Sequence, residues 1–205
     1  MQLNLRHDPE HCIPVPFMAQ SAGERAAWAR ETAAAFATRR ELAPDVATRI
    51  AAALEDVAAV TTDESRSLVI VGIEGRAIAP LTVFAVDERL SDDDQAAFLW
   101  SASALLPATT EILETEGFGV GISATLLERH GERDFGFERW LFLGEETTVA
   151  AILGPVAPYA LAFVEEPAKA VLSTSTLEGF VPSSDRARVE ALDRAVVRFG
   201  EDWPA

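Results

Sequence analysis

The sequence predicts an α+β protein: a mostly antiparallel sheet of five or six strands, with an N-terminal helical hairpin and a C-terminal helix packed on it. Three observations predict it. Apolar residues recur at helical spacing near both ends, at Val46, Ile50, Ala53, Leu54 and Val57 and again at Val189, Leu192, Val196 and Phe199. Between them the period changes to extended, in the runs Ser67–Glu74, Ile78–Val86, Gly117–Glu128, Phe135–Leu143, Thr147–Leu153 and Tyr159–Val164. Short polar connections carrying Gly or Pro separate the later runs, as a meander requires.

Taken in order, residues 1–21 form an extended arm. Pro14 and Pro16 fix φ and remove donors there, and Ile13, Val15 and Phe17 are the residues expected to dock it. Residues 22–60 form the hairpin, a helix from Ala22 to Arg40 followed by a second that starts at Pro44, a residue suited to a first helical turn. Residues 67–177 hold the sheet. Leu68-Val69-Ile70-Val71 and Leu81-Thr82-Val83-Phe84 are apolar on both alternating faces, so these strands need cover on both sides. An inserted helix over 91–106 is capped by Ser91, with Asp92, Asp93 and Asp94 at its positive end. Arg129–Asp134 joins two strands as a hairpin, Ala170–Thr174 is a last extended piece, and residues 185–199 form the closing helix. No internal repeat or low-complexity linker interrupts the 205 residues, and one domain over 1–205 is expected.

Composition excludes more than it identifies. A formal charge of −16 repels phosphates and anionic headgroups, which argues against nucleic acid and membrane surfaces and in favour of a protein partner or self-association. The single cysteine, Cys12, permits no intrachain disulfide, and the absence of a signal-like start or a long apolar run makes a cytoplasmic protein the expectation. Lys169 is the one lysine among 17 basic residues, an Arg bias that matches a high-GC, actinobacterial-like composition.

The final third, Tyr159-Ala160-Leu161-Ala162-Phe163, then Leu172-Ser173-Thr174-Ser175-Thr176-Leu177, then an amphipathic helix, resembles the end of small actinobacterial proteins whose layout is similar to the α/β/α sandwiches called Mog1/PsbP-like. The resemblance covers about a third of the chain. It implies an antiparallel sheet with helices on its faces, in a class used mainly for binding and assembly, and it carries no functional residue.

Chemistry-bearing motifs are few. His7-Asp8-Pro9-Glu10-His11 has the H-x-x-E-H spacing of inverted zinc peptidases, making His7, Glu10 and His11 the candidate metal ligands. Pro9 opposes this reading, because the three side chains must share one helix face and a proline in third position breaks that helix. Asp92-Asp93-Asp94 lacks the ligand pattern of a calcium loop. Gly117, Gly119 and Gly121 fall on one strand face, where close packing explains them better than a nucleotide loop does. Ser123 sits inside a strand rather than on a nucleophile elbow, His130 is read as a solvated loop histidine, and the Glu145-Glu146 and Glu165-Glu166 doublets point to opposite faces if extended. No catalytic residue and no cofactor is expected.

Aromatic residues carry more weight. Trp140 and Phe142 share one face of their strand, and Phe135 and Phe137 share the other, so one face is core and the other could present an aromatic binding patch. Trp140, Phe142 and Phe137 are the candidate binding residues. The expected function is that of a non-catalytic accessory, adaptor or chaperone-like protein that binds another protein through an acidic, aromatic-containing surface. The alternatives are a small-ligand- or metal-binding enzyme and a homo-oligomeric structural component with Trp140 between subunits.

Overall fold

A computed structural model describes residues 2–17 and 21–201, with the side chains of 197–201 excepted. Its centre is a seven-stranded antiparallel sheet in the order β2-β3-β4-β8-β7-β6-β5. The strands are β2 (Cys12–Val15), β3 (Ser65–Val71), β4 (Ile78–Val86), β5 (Thr109–Thr115), β6 (Gly119–His130), β7 (Arg133–Leu143) and β8 (Thr148–Val156). A two-stranded ribbon pairs β1 (Leu3–Asn4) with β9 (Thr176–Leu177).

The helical hairpin forms as its sequence predicts. The first helix, α1 (Ala22–Arg39), opens on a capping box in which Ser21 accepts from the Glu24 amide and Glu24 accepts from the Ser21 amide. The second, α2 (Pro44–Val60), begins at Pro44 and buries Val46, Ile50, Leu54 and Val57 against Val69 and Val71 of β3. At about 1.5–3 kcal/mol per buried side chain, that stripe fastens the hairpin to its end of the sheet. Ile13 and Val15 join the same cluster, whereas Phe17, expected to dock, is exposed.

Near the other end the same sheet face is covered by α3 (Asp92–Leu99), capped by Ser91, and α5 (Arg186–Glu201). They pack on Ile122, Ala124, Leu141, Leu143 and Ala150. The third layer covers the opposite face, where a 3₁₀ segment, Pro158–Phe163, and α4 (Glu165–Thr174) bury Leu68, Ile70, Leu81, Trp140, Phe142 and Leu153. Helices therefore lie on both faces, and among the described residues none is long and apolar enough to cross a membrane.

Three expectations change. Tyr159–Val164 and Ala170–Thr174 are helical, not extended, because Ala160, Leu161, Val164, Ala168, Val171 and Leu172 recur at helical spacing and Pro158 and Pro167 sit at helix starts that tolerate proline. The segments carrying the Mog1/PsbP-like resemblance are thus helical apart from β9. The sheet has seven strands because β2 pairs with β3 and β5 pairs with β6; β5, an edge strand rich in Thr and Glu, lacks the apolar alternation that marks the others in the sequence. The inserted helix ends at Leu99 rather than Leu106, where Trp100 turns extended. In the closing helix Val189, Leu192 and Val196 are buried as expected; the Phe199 side chain lies outside the described residues.

Candidate functional site

Alternation along β4 and β7 separates two environments. Ala79, Leu81 and Val83 face α4 and are fully buried, while Ile78, Pro80, Thr82 and Phe84 face the other way and are only half-buried. On β7 Glu138 and Trp140 are buried, and Phe135, Phe137 and Arg139 are half-buried. Register places Thr82 beside Ile152 and Ile152 beside Arg139, so these residues form a strip across the middle of one sheet face. The cause is coverage: α2 packs toward one edge and α3 and α5 toward the other, the latter reaching Ala150 of the central strand β8 while Ile152 further along it stays only partly covered. The strip floors a groove of about 490 Å³ whose wall is Val57, Val60 and Asp56 of α2, with Val60 75% exposed.

The far margin of the strip is rigid. Arg139 donates to Glu128 at 2.6 Å and to the carbonyls of Phe98 and Trp100 at 3.0 and 3.3 Å, and its guanidinium lies over the Phe137 ring. His130, read as solvated, contacts the second Glu128 oxygen at 2.9 Å and edges onto the rings of Phe135 and Phe137. Phe137 is thus fixed between a histidine and an arginine on an open face. Trp140 and Phe142 are completely buried inside the chain, packed beneath α4, so they supply core rather than a surface, and Trp140 cannot lie between subunits. Close packing also accounts for Gly121, where a Cβ would collide with the Phe142 ring and come within 2.8 Å of the Leu141 carbonyl oxygen.

On the other face lies a charged cluster that residue-type patterns did not reveal. Glu138, 1% exposed, sits beneath α4. Lys169 of α4 places its Nζ 2.7 Å from Glu165, 3.1 Å from Glu111 of β5 and 3.8 Å from Glu138 Oε1. Glu138 Oε2 has no hydrogen-bond partner among the described residues. Burial first, then the charge of Glu165, pushes the Glu138 carboxyl up to about 8, against the opposing pull of Lys169 and the Ser123 hydroxyl, with Glu111 adding a smaller upward push. Burial alone would lower the Lys169 ammonium, but its bonds to Glu165 and Glu111 and the nearby carboxylate charges leave it raised. The available signal was parity: position 138 shares the face of 140 and 142, so an acid there is buried whenever they are.

The N-terminal candidates are divided. His7 and His11 line a groove of about 360 Å³ between the arm and α4, each with Nδ1 3.4 Å from a backbone carbonyl, of Leu5 and Val71 respectively. Glu10 turns instead toward α1, 3.4 Å from Arg39 and 3.5 Å from Arg40. Among the described residues no three His, Cys, Asp or Glu side chains are grouped to hold a metal ion. Cys12, in the same groove, is buried, and burial together with the Asp8 charge pushes its thiol up to about 12. At pH 8 the thiolate is therefore scarce, and Cys12 should react with a disulfide reagent only as fast as the arm opens; immediate stoichiometric labelling of the native protein would contradict its placement.

Compared with family models, with curated proteins and with solved structures, the chain gives no match in any of the three.

Proposed function

We propose that this chain is a non-catalytic accessory or adaptor protein that binds another protein along the open strip between its two helix pairs. The observation that carries this reading is the partly exposed apolar floor of Ile78, Pro80 and Ile152, bordered by the exposed Val60, with Phe137 on the same sheet face. An apolar floor with fixed walls and an aromatic held in place is what a buried anchor of a partner requires. Asp56 on the wall and the −16 formal charge favour a partner segment that is apolar with basic flanks. An enzymatic reading has less support, since the one strongly perturbed carboxyl among the described residues, Glu138, is sealed beneath α4.

A photo-crosslinking residue at Thr82 tests the proposal in the native host. The expected result is a discrete adduct with a second polypeptide species, lost on Ile152→Glu in protein whose far-UV spectrum is unchanged and absent when the crosslinker stands at Glu178 on the other side of the sheet. An adduct formed only with another copy of this chain would replace the adaptor by the homo-oligomeric component. No adduct, or one indifferent to Ile152→Glu, would end the proposal.

A further inference from the structure

The Glu138 cluster has a geometry that simple packing does not need. Three carboxylates, Glu111 from β5, Glu138 from β7 and Glu165 from α4, converge on the one lysine of the chain, and the most buried of the three keeps an oxygen without a partner. Protonated Glu138 leaves the cluster with Lys169 against Glu111 and Glu165. Ionised Glu138 adds a third negative charge at a position water does not reach, facing Glu165 and Glu111 with only Lys169 and the Ser123 hydroxyl to offset it.

The simplest relief is hydration, and the element that seals Glu138 from water on that side is α4. We propose that Glu138 is a proton-operated latch on α4: with its proton the helix seats on the sheet, and on losing the proton the helix opens more often. Two further features give the opening a consequence. The segment after α4 is tied to the N-terminal arm by the short pairing of β9 with β1 and the Glu178 amide on the Gln2 carbonyl. In addition, Pro167, Ala170 and Val171 of α4 form one wall of the groove whose other wall carries Arg6, His7 and His11. Lifting α4 widens that groove, so its accessibility to a small molecule rises with pH. The latch is independent of the strip on the opposite face and stands whether or not the strip binds a protein.

Hydrogen exchange along Glu165–Thr174, corrected for intrinsic rates, tests the latch in the intact chain. With Glu138 titrating about 8 when sealed and as an ordinary carboxylate when hydrated, protection of α4 should fall at least about tenfold between pH 6 and 8 and level off above that. Glu138→Gln should hold protection nearly constant over the same range. Equal slopes in both proteins, or a flat wild-type profile, would overturn the proposal. Should the variant fold poorly, carboxyl-carbon NMR on the wild type decides: the Glu138 signal and the methyls of Val171 and Leu172 must titrate with one midpoint. An ordinary carboxylate midpoint, or methyls that ignore it, would overturn the latch equally.

Discussion

Replacing Glu138 by Gln should stabilise this protein at neutral and alkaline pH and leave it nearly unchanged in acid. The folded-state carboxyl titrates about 8 and the unfolded one near 4.5, so the folded state must hold a proton that the unfolded state gives up. Below pH 4.5 both states are protonated and the site contributes no penalty. From pH 4.5 to 8 the penalty grows by about 1.4 kcal/mol per pH unit, and above 8 it stays constant. At pH 7 the ceiling is about 3 kcal/mol, the pull of Lys169 being already contained in the folded-state value. Urea denaturation of both proteins at pH 5, 7 and 9 measures it: the gap should widen from pH 5 to 7, widen again to pH 9, and favour the variant. A constant gap, or a less stable variant at pH 9, would show that Glu138 is ionised and satisfied in the native state.

The second large effect separates core from surface on a single strand. Trp140→Ala should cost about 3–5 kcal/mol, because the indole is fully buried and its removal leaves a cavity between the sheet and α4. Phe137→Ser, three positions earlier and on the opposite face, should cost less, under about 2 kcal/mol, because its ring is already partly exposed. Binding should respond in the reverse order: Phe137→Ser should weaken the Thr82 adduct, and Trp140→Ala should weaken it only where the protein has unfolded. Denaturation midpoints read beside adduct yields check both statements. A Trp140→Ala protein as stable as wild type would mean that α4 does not cover this face.

Local pattern carried much of the architecture. Pro44, Ser91 and the 3.6-residue stripe of α2 marked helix starts and a buried side through interactions confined to a few neighbouring residues, and those are independent of where the rest of the chain goes. Ile78–Val86 was legible end to end for the same reason. Short apolar runs were harder, since Tyr159–Val164 satisfies a strand and a buried helical turn equally well until Val164, Ala168 and Val171 are seen to continue the helical period. The edge strand β5 hid because its outward residues are polar.

For the site the division falls differently. Sequence alone determined that Trp140 and Phe142 share one face and Phe135 and Phe137 the other, because alternation is a property of the extended backbone. Which face would be sealed was a matter of tertiary structure. Strands β3, β4 and β7 carry apolar residues on both faces, so nothing local reveals that α4 and the 3₁₀ segment cover one side while the two helix pairs leave Thr82 and Ile152 partly open on the other. The same holds for Glu138. Its parity fixed its side, but its raised carboxyl depends on Glu165 and Lys169 arriving from a helix about thirty residues further on, and electrostatic neighbours of that kind exist only once the chain has folded.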